Sequence, residues 1–207
     1  MTQTNTKADK QPPKGAREVL ITTGTRLMAE HGIEGVSLNQ IVKAAGQRNS
    51  SAAQYHFGSK AGLIQAIFDK HSPGIQERRQ KLLEKLNRTS GLEEIVHALV
   101  YPMAEELNNP DGGRDFLLFL ASTRHHGLTP SGSALDQAPR QQVAAIFNLL
   151  RQKVGAVPAR EAKFRQNALH NLLLFSLADY SRELQAGRKE SAADRQHFVD
   201  CLIGSIC

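Results

Sequence analysis

The sequence predicts an all-α fold, and three observations predict it. Apolar residues recur at three- and four-residue spacing along most of the 207 residues, with no convincing period-two run of any length. Proline is sparse after position 13, and aromatic residues make up only 5% of the chain. Glycine, proline, serine and asparagine collect in the gaps between periodic stretches, where helices stop and start. At 40% apolar and 22% charged residues, a chain of this length buries a real core without help from a metal or a disulfide.

Residues 1–14 are polar and basic, lack the apolar centre of a signal peptide, and read as a mobile arm. A first helix spans Ala16 to His31, with Val19, Leu20, Thr23, Leu27 and Met28 as its inward stripe and Gly32 as its stop. Gly24 inside it costs about 1 kcal/mol against alanine, which predicts close packing against another helix. Ser37 caps a short second helix in which Leu38, Ile41, Val42 and Ala45 face inward and which Gly46 closes. After the run "AGQRNSSAAQYHFGSK", Gly58 ends a third helix and Ser59 caps a fourth carrying Leu63, Ile64, Ile67 and Phe68. "HSPG" at 71–74 predicts a kink or a break, because Pro73 lacks a donor and disfavours helix at the preceding residue. The pattern resumes to about Asn87, and further helices are expected at about 91–108, 112–126, 135–154, 158–186 and 191–206.

Within 158–186 the run "ALHNLLLFSLADY" is apolar around nearly its whole circumference, so this helix is expected to be buried on two sides, one against its own domain and the other against a partner subunit or a ligand cavity. The last helix, with Phe198, Val199, Leu202, Ile203 and Ile206, is expected beside it. Two such helices per subunit would make a four-helix homodimer interface.

The formal charge of +6 with a pI near 9.5 favours an anionic partner only weakly, but its distribution says more. Residues 1–60 hold eight Lys or Arg against four Asp or Glu, so four of the six net positive charges sit at the N-terminal end. Cys201 and Cys207 are six residues apart, about 9 Å on a helix, and read as reduced thiols of a cytoplasmic protein. No apolar run reaches the roughly 18 residues of a membrane span. No nucleophile elbow, phosphate-binding loop, metalloprotease pair or Cys-x-x-Cys motif is present, so no catalytic residue, metal or cofactor is expected. His125 and His126, adjacent and about 100° apart on a helix, make poor partners for one metal.

A helix, a short capped helix, a turn and a third short helix bearing polar and aromatic groups supply the parts of a helix-turn-helix DNA reader. Arg48 suits a phosphate or a guanine edge; Asn49 and Gln54 carry the amide that matches adenine; Ser50 and Ser51 suit phosphate or capping; and Gln47 is a further candidate for contact with DNA. Ala52 and Ala53 are small enough for close approach or a thymine methyl, Tyr55 and His56 would lie near the backbone, and Ser37 and Lys60 would flank the reader. Phe57 is expected to plug the small core behind it.

Through "LMAEHG", "SLNQIVKAAG" and "YHFGSKAGLI", residues about 15–70 resemble the N-terminal domain of the TetR family of bacterial transcriptional regulators. The sequence departs from the family pattern at Met28, at Gly24, and in a run from Gly46 to Phe57 one residue longer than usual. The resemblance implies an all-α architecture: a three-helix helix-turn-helix domain over 15–60, then a connector helix leading into a helical ligand-binding and dimerisation domain over 61–207. It also implies a homodimer reading a palindromic double-stranded operator and answering to a small-molecule effector. Tyr101, Met103, Phe116, Phe119, Phe147, His170, Asn171 and Phe175 are the candidates to line an effector cavity, each also readable as ordinary core or surface. Two other readings stay open: a helical binding protein or enzyme with a vestigial reading head, and an activator without an effector.

Overall fold

The computed structural model describes residues 15–126, 137–155 and 157–207; the basic arm expected over 1–14 and the side chains of His125 and His126 lie outside the described residues. The helices are α1 Ala16–His31, α2 Leu38–Ala44, α3 Ala52–Phe57, α4 Lys60–Leu83, α5 Leu92–Ala104, α6 Gly113–His126, α7 Gln137–Val154, α8 Ala159–Gln185 and α9 Ala192–Ile206. A 3-10 turn, Glu105–Asn108, follows α5. The fold is all α, and no strand occurs among the described residues.

Two cores organise these helices. The first packs Leu20, Ile21 and Met28 of α1 against Ile41 and Val42 of α2, Ala52 and Ala53 of α3, and Leu63 and Ile67 of α4. Phe116 and Phe119 of α6 complete it, each almost fully buried and each contributing about 2–3 kcal/mol of hydrophobic burial. The second core joins α5, α7, α8 and α9 through Ile95, Leu99, Ile146, Leu173, Leu177 and Leu202. Helix α6 packs against both α1 and α8 and so belongs to both halves.

Because α6 covers it, the inward stripe of α1 is rotated from the one its periodicity suggests. Val19 is 45% exposed, and Leu20, Ile21, Gly24, Thr25 and Met28 face the core instead. A Cβ on Gly24 would stand 3.0 Å from Leu63 Cδ2, which explains the glycine as a close helix crossing.

Helix α4 does not break at Pro73 but runs unbroken from Lys60 to Leu83, four residues short of the expected end. Packing outweighs the lost hydrogen bond: His71 and Ile75, on either side of Pro73, are both buried. The His71 ring stacks on Phe116 with centroids 4.3 Å apart, and Phe68 meets Phe116 and Phe119 edge-on at 6.0 and 5.7 Å.

Glu106, 1% exposed, ties α4 to the turn after α5. It accepts hydrogen bonds from Arg78 at 2.5 Å and from Asn109 at 2.9 Å, and its other contact is with His71 Nδ1 at 3.0 Å. Arg78 also donates twice to the Pro102 carbonyl, which lies in the last turn of α5. Burial, the largest influence, pushes the Glu106 carboxyl up, but the bonds from His71, Asn109 and Arg78 outweigh it and the group ends below its ordinary value.

The later helices start and stop within a few residues of the expected positions because their caps are local. Ser191 and Asp194, for example, form a reciprocal capping box at the start of α9. Helix α9 lies beside α8 with Tyr180 and Phe198 stacked, centroids 4.0 Å apart. Among the described residues no helix is long and apolar enough to cross a membrane.

Candidate nucleic-acid interface

The candidate reader is built from α2, the turn after it and α3. Ser37 accepts from the Gln40 amide at 3.3 Å while the Ser37 amide donates to Gln40 Oε1 at 2.7 Å, a reciprocal cap that fixes where α2 begins. That bonding commits the Ser37 hydroxyl to α2. Ile41 and Val42 bury the inner face of α2, and the chain leaves it through Gly46 at φ 65°.

Asn49, rather than Ser51, organises the start of α3. Its Oδ1 accepts from the Ser51 amide at 2.9 Å and its backbone carbonyl accepts from the Ala52 amide at 3.0 Å, whereas the Ser51 hydroxyl makes no capping bond. The Asn49 amide oxygen is thereby occupied, leaving its NH2 group as the part available to a base or phosphate. Gln47 is half-buried and folds back on the Ala45 carbonyl at 3.4 Å.

Ala52 and Ala53 are 0% and 1% exposed, so neither contacts a thymine methyl. They form the inner face of α3, where only small side chains let this short helix sit against α1 and α4. Their burial turns Arg48, Ser50, Ser51, Gln54 and Tyr55 outward, all of them exposed. Gly58, at φ 69°, ends α3, and Ser59 starts α4 by accepting from the Gly62 amide at 3.1 Å.

The aromatic run divides its work. Tyr55 is 57% exposed and meets His56 edge-on at 5.2 Å. His56 lies half-buried with its Nε2 lacking a hydrogen-bond partner; burial, and secondarily the nearby Arg17 charge, hold its imidazole below the usual range. Both influences favour the neutral imidazole. Phe57 packs against the first core as expected, with the Arg17 guanidinium 5.5 Å from its ring centroid. Lys60 is within 3.9 Å of Glu34, which offsets part of its charge.

Arg17 is the cation beside the reader that sequence reasoning left out. Nothing in the local pattern of α1 marks it, since its place depends on how α1 crosses α3.

The effector candidates are scattered. Phe116 and Phe119 are spent in the first core, Met103 is wedged between the two cores, and Tyr101 stacks on His97 with centroids 4.9 Å apart. Phe175 packs beside Leu118, Ala121 and Ala178, while Asn171 is exposed. His170 contacts the Gln166 carbonyl at 3.0 Å and lies 5.3 Å from the Phe147 ring. Phe147 lines a cleft of about 650 Å³ between α5, α7, α8 and the end of α9.

Residues 20–67 match the model of the bacterial regulatory proteins, tetR family. Solved structures extend the likeness over the chain. A TetR-family transcriptional regulator from Bordetella parapertussis aligns with a TM-score of 0.66 at 15% identity, over 94% of this chain and 95% of that one. The ketosteroid transcriptional regulator KstR2 of Mycobacterium tuberculosis aligns at 0.62 and 16%, over 94% and 96%. AibR, solved in complex with isovaleryl coenzyme A and operator DNA, aligns at 0.59 and 15%, over 92% and 97%. At these identities the likeness is one of fold. Comparison with curated proteins gives no match.

Proposed function

From the premise that residues 20–67 form a regulatory domain of the tetR family, we propose that the protein is a cytoplasmic, ligand-responsive transcriptional repressor that binds a palindromic operator as a homodimer. The observation that carries the proposal is the two-sided build of α3. Ala52 and Ala53 hold it to the body, while Arg48, Ser50, Ser51, Gln54 and Tyr55 stand outward, with Asn49 bracing the turn. A helix so mounted suits a major groove, with side chains near its N-terminus at base edges and flanking hydroxyls at phosphates.

The pairing surface on this reading is the outer face of α8 with α9. Phe164 of α8 is 73% exposed in the single chain and stands off the cleft that Phe147 lines, and a partner's α8 and α9 would cover it. Dimerisation would set two reading helices about one helical turn, ~34 Å, apart on DNA. We take residues 15–60 as the DNA-binding part and 61–207 as the part that pairs and holds the effector. AibR, similar in fold, was solved with both an acyl thioester and operator DNA, which supports pairing the two activities in one chain.

The test is a mobility shift on the DNA flanking the coding region, run at fixed salt. Arg48→Ala is expected to weaken specific binding by about 1–3 kcal/mol while leaving the thermal midpoint in place. Unchanged affinity would remove Arg48 from base readout, and absence of any salt-dependent binding by the unaltered protein would end the proposal.

A further inference from the structure

The cleft beside Phe147 has a chemical bias. Its walls are mainly apolar, supplied by Leu92 and Val96 of α5, Phe147 and Leu150 of α7, and Leu169 and Leu172 of α8. The charged side chains that line it are Arg151, Lys163 and Arg165, and no aspartate or glutamate is among the described lining residues. Arg165 is paired along its own helix with Glu161 at 2.6 Å, whereas Arg151 is hydrogen-bonded to the neutral Asn148 and has no ion pair among the described residues. Lys163 is exposed on α8 between them in sequence. The volume, about 650 Å³, lies within the range of roughly 300–1,000 Å³ typical of small-molecule sites.

We propose that this cleft binds a molecule with an apolar chain and an anionic head, the chain lying along the Leu92–Phe147–Leu169 wall and the head at Arg151 and Lys163. An apolar wall with cations of one sign at its rim rewards that combination twice. Burying the chain removes apolar surface from water, and the head meets two positive charges without having to give up all of its hydration. A neutral apolar molecule collects only the first gain, and a cation is repelled at the rim. Two sources share this chemistry, a free carboxylic acid and an acyl thioester whose carrier supplies phosphates. The proposal rests on the ligand-responsive reading above and names the ligand class that reading leaves open.

The test is calorimetric titration of the full-length chain with decanoate, decanoyl coenzyme A and decanol. Decanoate or decanoyl coenzyme A is expected to bind at least ten-fold more tightly than decanol, and the preference between the first two separates the sources. Joint substitution Arg151→Gln and Lys163→Gln, both on exposed side chains, is expected to cut binding of the charged ligands about ten-fold and leave decanol unchanged. The chain has no tryptophan, so Phe147→Trp places a single reporter in the cleft, and Leu172→Trp at its mouth serves if the first variant fails to fold. Quenching or a spectral shift on adding the charged ligand supports the site. Equal affinity for decanol and decanoate, no binding of either charged ligand, or binding that leaves both reporters silent would overturn the proposal. Salt-dependent DNA binding, measured on the same preparation, separates the failures. If it persists, only the ligand class falls; if it is missing, the regulatory reading falls instead.

Discussion

Arg79 is a buried cation. It is 3% exposed, its Nε has no hydrogen-bond partner, and burial, with the neighbouring Arg78 charge second, lowers its guanidinium to about 10. Among the described residues no carboxylate pairs with it, and an uncompensated buried charge costs stability, so Arg79→Met, which keeps the length and removes the charge, is expected to stabilise the fold by about 1–3 kcal/mol. A thermal melt reads this directly, and a lowered midpoint would show that Arg79 is held by favourable contacts after all. The same scale shows where the sequence was readable and where it was not. Phe57 as a core plug and Gly24 as a close crossing followed from residue type and place. Ala52 and Ala53 did not, because a small side chain suits equally the groove of DNA and the underside of a helix, and only the crossing of α1 over α3 decides between them. Arg17 beside Phe57 was hidden for the same reason.

Among the elements, α4 is where a local rule was overridden. Pro73 denies the Asp69 carbonyl its usual donor, yet the helix passes through it because His71 and Ile75 are fixed by the packing around them. Restoring the donor with Pro73→Ala is therefore expected to raise stability by about 1–3 kcal/mol, seen as a higher midpoint in chemical denaturation. A fall would mean that the proline's geometry is itself required by the contacts of α4. Helices with caps written into their ends, such as α2 at Ser37 and α9 at Ser191, were legible to within a residue or two. The end of α4 was not, since "EKLN" continues the helical pattern, whereas the chain leaves the helix in single turns closed by Leu82 and Leu83 carbonyls.

For the molecule as a whole, the buried group at Glu106 links acidity to stability. Its folded carboxyl ionises below the unfolded value, so its contribution is complete above that unfolded value and is lost as pH falls through the folded one. Glu106→Gln is expected to cost about 2–4 kcal/mol at neutral pH, with a shallower loss of stability on the acid side than the unaltered protein shows. Melting midpoints collected from pH 7 down to about pH 3 test both, and parallel curves would remove Glu106 from the acid response. At this scale the all-helical class, the order of helices and the reading head were visible in the sequence. What was not visible is that Phe116 and Phe119, far along the chain from the head, finish its core. That has a practical consequence for anyone recombining such proteins. A graft cut at residue 60 would carry the reading surface but strand Leu20, Ile21 and Met28 against a foreign helix, so a working transplant must take the inner face of α6 along with the head.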